Sequence, residues 1–322
     1  MHAWTWNGDP ESSALRLEEL SLPAPQPGEV LVANKAVALN PIDWKILGRK
    51  SGWEHGHIPG VDGAGIVVAC GEDVVIPTGT RVAYHQDLQR HGSFATHTVV
   101  AVKALLPLPE AIRFMDAATV PCPGLTAWMA IDKLPHRVGR DVLVVGAGSA
   151  VGTFLVQIAL RRGYRVWTTA SAQHHAQLLE KGAAGVFDYH DAEWREALLH
   201  ALGEQHLFAA VDTVNEEHAR SLVPLIGYNG HVVCIQGRLN SPASPPVSTV
   251  VSQHEVALGA IYRHGNVQDW DDLRGAGAAL LQDIAEGNIA PPAICRFEFA
   301  HLAEALASLQ AGSSNGKLVC EL

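Results

Sequence analysis

The segment Asp141–Val145 is a continuous apolar run that stops on Gly146-Ala147-Gly148-Ser149-Ala150-Val151-Gly152, and this junction constrains the fold more than any other feature of the chain. A run without polar alternation suits a strand buried on both faces of a parallel sheet. Beyond the turn, Val151, Phe154, Leu155, Ile158 and Ala159 recur at i, i+3, i+4, i+7 and i+8, which predicts one face of a helix closing at Gly163. A second strand is expected at Tyr164–Thr169. Glycine is required where a backbone turns sharply and must approach phosphate oxygens with no Cβ in the way. The first N–H groups of the following helix, reinforced by its dipole, then face an anion. Strand, glycine turn, helix and strand in this order point to a dinucleotide pyrophosphate held by Gly146, Gly148, Ser149, Ala150, Val151 and Gly152.

The alternation continues downstream. Strands at Val186–Tyr189, Phe208–Asp212 and His231–Ile235, with helices at His174–Lys181, Glu193–Leu202 and Glu217–Ile226, predict βαβ units in a doubly wound α/β sheet. The first third reads differently. Val30–Ala36, Ala64–Ala69, Arg81–Tyr84 and Phe94–Val100 are short strands between Gly and Pro turns, as in a compact barrel. The C-terminal region is expected to hold strands at Val256–Ile261, Phe297–Phe299 and Lys317–Leu322, and helices near Asp272–Glu286 and Leu302–Ala311.

A ribose 2′-hydroxyl is usually read by Asp or Glu roughly twenty residues past the turn. Here the second strand ends Thr168-Thr169-Ala170-Ser171, without a carboxylate. A 2′-phosphate is repelled by an acid and tolerated without one, so the cofactor expected is NADPH. Ser171 is a candidate donor to that phosphate, with His174 or His175 in support.

At 322 residues the chain is long enough for two domains, and 48% apolar with 17% charged residues describes a soluble globular enzyme. A net charge of −10 without any basic run argues against nucleic acid. Met1–Pro10 has no signal-peptide core and no apolar stretch suffices to span a membrane, so a cytoplasmic protein is expected. The five cysteines include no CxxC pair, which indicates buried free thiols rather than a disulfide framework or zinc knuckle.

Asn40-Pro41-Ile42-Asp43, Pro59-Gly60-Val61-Asp62-Gly63-Ala64-Gly65, Gly79-Thr80-Arg81-Val82, Gly92-Ser93-Phe94-Ala95, Gly124-Leu125-Thr126-Ala127-Trp128 and Asn315-Gly316-Lys317 occur in one order along nearly the whole chain. In these motifs the sequence resembles the medium-chain dehydrogenase/reductase superfamily, in its zinc-free quinone oxidoreductase branch. The resemblance implies a GroES-like β-barrel catalytic domain in residues 1–120 and 262–322, and a Rossmann dinucleotide-binding domain in residues 121–261. It also implies a nicotinamide in the cleft between domains, and a homodimer through the sheet edge near Val256–Ile261.

Zinc-dependent relatives bind the ion with Cys, His and a further Cys or equivalent, and tetrahedral zinc needs such donors. Here Asn40 stands at the first ligand position, Gly60-Val61-Asp62 replaces the Gly-His-Glu motif, and only Cys122 remains. No bound metal is expected. His55-Gly56-His57 and His85 with His91 read as surface histidines in a chain with 17 of them. Without a Lewis acid, quinones and α,β-unsaturated carbonyls are the suitable acceptors, because conjugation spreads the charge that hydride addition creates.

By resemblance, Asn40 offers an amide donor to ribose or substrate oxygen, and Thr126 contacts the nicotinamide through its hydroxyl. Asp43 borders the same cleft, more as an N-cap or architectural residue than as an acid. Tyr189 approaches the adenosine phosphate end. Ile235 and Gly237, and Ala260 and Ile261 on the expected strand, present backbone groups to the nicotinamide ribose and carboxamide, and Asn315 and Lys317 close that side. Two departures stand out. Many family members carry a tyrosine before Pro59, where this chain has Gly52-Trp53; Trp53 can stack on a quinone but supplies no acidic hydroxyl. Ser149 replaces a glycine common in relatives, and its hydroxyl can add a phosphate contact. The leading expectation is an NADPH-dependent quinone or enone reductase with a small-molecule substrate. The alternatives are a reductase of other activated alkenes, such as enoyl thioesters, and a largely non-catalytic NADPH-binding protein.

Overall fold

The structure is a computed structural model that describes residues 1–48, 52–314 and 316–322. The chain divides into two compact units, residues 1–125 with 259–322, and residues 126–258. The first unit opens with β1 (His2–Thr5), β2 (Arg16–Glu19) and the long β3 (Glu29–Ala38). Helix α1 (Pro41–Lys45), β4 (Asp62–Cys70), β5 (Arg81–His85), β6 (His97–Ala101), β7 (Leu105–Pro107) and α2 (Phe114–Ala118) follow. Helix α3 (Pro121–Asp132) carries the chain into the second unit. There β8 (Asp141–Val145), α4 (Ala150–Arg161), β9 (Arg165–Thr169), α5 (His175–Glu180), β10 (Gly185–Phe187) and α6 (Trp194–Leu202) alternate. β11 (Leu207–Asp212), α7 (Glu216–Leu222), β12 (Ile226–Cys234) and β13 (Ser252–Glu255) complete it. The chain returns to the first unit through α8 (Ile261–His264), α9 (Val267–Ala285), β14 (Ile294–Glu298), α10 (Leu302–Gln310) and β15 (Lys317–Glu321).

In the second unit the described strands run β10-β9-β8-β11-β12-β13, every neighbouring pair parallel. All of β8 and all of β11 is buried, which explains the unbroken apolar runs. The order of crossovers reverses between β8 and β11, and open α/β sheets bind ligands outside the carboxyl ends of strands at such a point. Leu143, Leu198, Leu207, Leu222 and Val232 share one core under the sheet. The Trp167 indole N–H joins that core without loss, donating to Asp141 Oδ1 at 2.6 Å.

In the first unit the sheet runs β14-β15-β3-β4-β5-β7, with β6 also paired to β3. β3 thus serves three partners, and its register against β4 slips between Leu31 and Val32 and again between Asn34 and Ala36. The second irregularity sets Asn34 into the interior. Its amide N–H groups reach Ala95 O at 2.7 Å and Thr98 Oγ1 at 2.9 Å, and its Oδ1 accepts from the buried Tyr84 hydroxyl at 2.8 Å. Among the described residues, no helix is long and apolar enough to cross a membrane.

One expected element is displaced. The segment Val256–Ile261 is not a strand: the edge strand is Ser252–Glu255, Leu258–Ala260 is a single 3-10 turn, and Ile261 starts α8. A short apolar run reads equally as strand or buried helix. Here Ile261 and Tyr262 are spent on packing against the barrel cluster of Val30, Val82 and Trp270. Phe94–Ala95 likewise precedes β6 and is not part of it. Tyr84→Phe removes no core volume and leaves Asn34 Oδ1 buried without its hydroxyl donor, so stability is expected to fall by about 1–3 kcal/mol, measured by chemical denaturation.

Candidate functional site

The glycine turn sits at the carboxyl end of β8, beside β11. Gly146 has φ of +71°, and a Cβ built on it would lie 2.4 Å from Thr213 Oγ1, the hydroxyl that donates to Val145 O from the end of β11. A Cβ on Gly152 would lie 2.2 Å from Gly146 O, so α4 packs on the turn backbone itself. Ser149 is the N-cap of α4, and its Oγ accepts the Gly152 N–H at 3.0 Å. The Ser149 N–H is taken by Gly146 O. With those two spent, Ala150 and Val151 carry the orphan donors of the first helical turn. The Ser149 hydroxyl, expected to meet a phosphate, is used here to close the cap of α4.

β9 ends at Thr169, whose hydroxyl accepts from Gly146 N at 3.3 Å and thereby ties the two strand ends together. Ser171 leads the 3-10 turn Ala172–His174, and no carboxylate occurs in this stretch. A Cβ on Gly148 would meet His174 Cδ2 at 2.4 Å, so that ring lies on the glycine turn. Tyr189 is 51% exposed and lies against His190, ring centroids 4.2 Å apart. Ile235 N donates to Asp212 O at 3.0 Å, and Gly237 follows with φ of +87°. Thr126 is buried on α3.

The barrel unit holds a second cluster. The Asn40 backbone N–H, at the start of α1, donates to Asp43 Oδ2 at 2.7 Å, while Asp43 Oδ1 accepts from Val61 N at 3.2 Å. Asp43 is thus the partner of the cap and not the N-cap, which is Asn40. Burial pushes the Asp43 carboxyl up to about 8, against the pull of the Asn40 N–H. The Asn40 amide is committed at both ends: Oδ1 accepts from Lys317 Nζ at 2.5 Å and Nδ2 donates to Asp62 Oδ2 at 2.9 Å. Asp62, fully buried, also meets His85 Nδ1 at 3.1 Å and the Cys122 N–H at 3.0 Å. The Tyr262 hydroxyl donates to His85 O.

The structure gathers Asn40, Asp43 and Lys317, and it gathers the turn residues; it gives Trp53 a different environment. Trp53 stacks on His57, centroids 3.9 Å apart, with Trp6 edge-on at 5.7 Å, and its indole N–H donates to Leu88 O. One face of its ring is therefore already covered. His57 and His85 are buried, contrary to the reading of surface histidines, and burial followed by the neighbouring His91 holds the His57 imidazole down at about 4. Ala260 and Ile261 lie at a helical turn, so presentation of their backbone groups from a strand end does not occur. Asn315 lies outside the described residues.

Two features escaped the sequence. Asp62 appeared only as part of an altered motif, although an acid entering an apolar strand signals a committed partner. Asp212, fully buried at the end of β11, accepts from Val214 N and Asn215 N at 2.9 and 3.0 Å and pairs with His218 Nδ1. The terminal Asp of an apolar strand was the signal for that turn.

Residues 26–110 match the family described as alcohol dehydrogenase GroES-like domain, and residues 181–320 the family described as zinc-binding dehydrogenase. A trans-enoyl reductase of Aspergillus flavipes is 37% identical over 52% of this chain, a region spanning 54% of that relative, little more than half its length. A quinone oxidoreductase of Sus scrofa is 28% identical over 72% of this chain and 71% of its own. An alcohol dehydrogenase superfamily protein from Novosphingobium aromaticivorans superposes with a TM-score of 0.88 at 24% identity, covering 100% of this chain and 99% of its own, which shows a shared fold. The zinc in the second family's description does not fit the side chains here. Val61 has no donor atom, the Asn40 amide receives the Lys317 ammonium, and among the described residues no three His, Cys, Asp or Glu gather that could hold a metal ion.

Two measurements probe these clusters. Asp43 lies above its ordinary value of 3.8, so between there and about 8 the folded chain keeps a proton that the unfolded chain has released. Stability from this group therefore falls as pH rises through that window, and Asp43→Asn is expected to flatten the slope of denaturation midpoints against pH. Gly152→Ala forces a Cβ onto Gly146 O; a loss of about 1–3 kcal/mol of stability and of most dinucleotide binding is expected, read by thermal melting and cofactor fluorescence titration.

Proposed function

We propose that this chain, which belongs to the medium-chain dehydrogenase/reductase superfamily, is a metal-independent oxidoreductase that transfers hydride from NADPH to a quinone or an α,β-unsaturated carbonyl. The observation that carries the reading is the glycine cradle at the reversal point of the parallel sheet, where Gly146 and Gly152 leave no room for a Cβ and α4 keeps donors free. The residues present fit a dinucleotide. Ala150 and Val151 would hold the pyrophosphate, with Ser149 fixing the cap. Ser171 and Tyr189 would serve the adenosine end, and Thr126, Ile235 and Gly237 the nicotinamide end. The reduced nicotinamide, when bound, supplies the hydride. In this reading residues 121–261 bind the cofactor, while residues 1–120 and 262–322 serve the acceptor.

The absence of a carboxylate from Thr168 to Ser171 supports NADPH over NADH. The barrel cluster supports the substrate class: Lys317, Asn40 and Asp62 are bonded to one another and the Val61 side chain cannot ligate, which leaves these side chains unsuited to hold a Lewis acid beside an isolated carbonyl. Conjugated acceptors need less, because hydride addition spreads charge away from the oxygen. The trans-enoyl reductase relatives favour a second reading, reduction of an enoyl thioester. Against it, Trp53 offers no acidic hydroxyl and its indole N–H is engaged. A homodimer formed along the outer edge of β13, and a cytoplasmic location, belong to the same proposal.

Loss of reduced-nicotinamide absorbance with a panel of quinones, enones and enoyl thioesters tests it. Turnover of quinones or simple enones is expected; turnover confined to enoyl thioesters would favour the second reading. Tight NADPH binding with no turnover of any acceptor would leave a non-catalytic binding protein.

A further inference from the structure

Resting on the NADPH reading above, we infer that the ribose 2′-phosphate is recognised by two imidazoles, His174 and His175, so that the preference for NADPH over NADH strengthens in acid and fades in alkali. Between Val166 and Glu180 there is no Lys or Arg, so no permanent cation follows β9. The chain places two histidines there instead. His174 closes the 3-10 turn that follows β9, and its ring lies on the glycine turn, where a Cβ on Gly148 would stand 2.4 Å from Cδ2 and 2.7 Å from Nε2. The Gln173 amide lies 3.2 Å from His174 Nε2 and donates to it when the ring is neutral. His175 Nε2 lies 3.0 Å from Ala170 O, which fixes a proton on Nε2 and leaves Nδ1 to take up the second. Both side chains are half-buried and remain accessible.

The charges around them are few. Thr168 to Ser171 and the first turn of α4 carry none. From the end of β10 comes Asp188, whose carboxylate accepts the His190 N–H and meets the His190 ring, both at 2.9 Å. The His190 N–H, then its ring, and more weakly His175 hold Asp188 below the usual carboxylate range. Asp191 and Glu193 lie further along that exposed loop, and Glu180 and Lys181 at the far end of α5. Asp188 is thus the acid that opposes a phosphate here, and its carboxylate is already engaged by His190.

Lys and Arg keep their charge across physiological pH, whereas imidazole changes charge between about pH 5 and 8. A phosphate monoester carries close to two negative charges at neutral pH. Bound together, phosphate and imidazolium stabilise each other, so the complex keeps a proton that the free protein loses as pH rises. Binding of the phosphorylated cofactor must then take up protons near neutrality. NADH, which lacks the phosphate, has no such linkage.

The test is binding, not turnover. Dissociation constants for NADPH and NADH are measured by fluorescence titration between about pH 6 and about pH 8.5, and calorimetry in two buffers of different ionisation enthalpy counts protons. The ratio of the NADH to the NADPH constant is expected to fall about tenfold across that range, about the value of one pKa unit of differential interaction. Proton uptake is expected with NADPH and none with NADH. In a His174→Lys, His175→Lys double variant the ratio should lose its pH dependence, and in the His174→Gln, His175→Gln double variant it should be small at every pH. A wild-type ratio that favours NADPH equally at all pH values overturns the imidazole assignment and leaves the NADPH reading intact. Tighter binding of NADH throughout overturns both. A double variant that keeps the wild-type slope also overturns the assignment, and the wild-type titration stands alone should the variants not fold.

Discussion

The approach of α4 to the end of β8 governs the second unit. With only a hydrogen on the Gly152 α-carbon, the helix sits against Gly146 O and Ala147 Cα, where a Cβ would lie 2.2 and 2.6 Å away. That contact sets the direction of α4, which in turn aims its first N–H groups past the strand end. Ser149 takes one of those donors for the cap, and Thr169 and Thr213 tie the neighbouring strand ends to the same turn. A side chain at Gly152 would push the helix away and scatter these donors. Helix packing and the aim of the first N–H groups are therefore one constraint.

The barrel unit solves a different problem, the burial of Lys317, Asp62 and Asp43. Buried ionisable groups are costly unless hydrogen bonds satisfy them. Asn40 links the Lys317 ammonium to the Asp62 carboxylate, and Asp62 collects further donors from His85 and the Cys122 backbone. Asp43 caps α1 and receives Val61 N. These side chains satisfy one another. This self-sufficiency is what supports the proposal of metal-independent chemistry.

Local features were legible before any coordinates. The glycine turn, the period of α4 and the missing acid after β9 each rest on residues close together in the chain, where backbone geometry and side-chain spacing act directly. The displaced strand shows the limit. Val256–Ile261 is apolar enough for a strand, and only the pairing of Ser252–Glu255 with β12 and the packing of Ile261 and Tyr262 on the barrel decide otherwise. Trp53 is a similar case, since nothing in Gly52-Trp53-Glu54 reveals that His57 covers its ring.

Residue type at short spacing was enough for the α/β class and for the glycine turn between β8 and α4. Tertiary structure alone decided that Asn40 serves Lys317 and Asp62, that Asp43 completes a cap, and that Asp212 pairs with His218. Residues 40 and 317 stand at opposite ends of the chain, and only the pairing of β15 with β3 brings them within hydrogen-bond distance. The turn at Gly146–Gly152 belongs to both: its glycines are read from composition, and only the fold lays the His174 ring upon it.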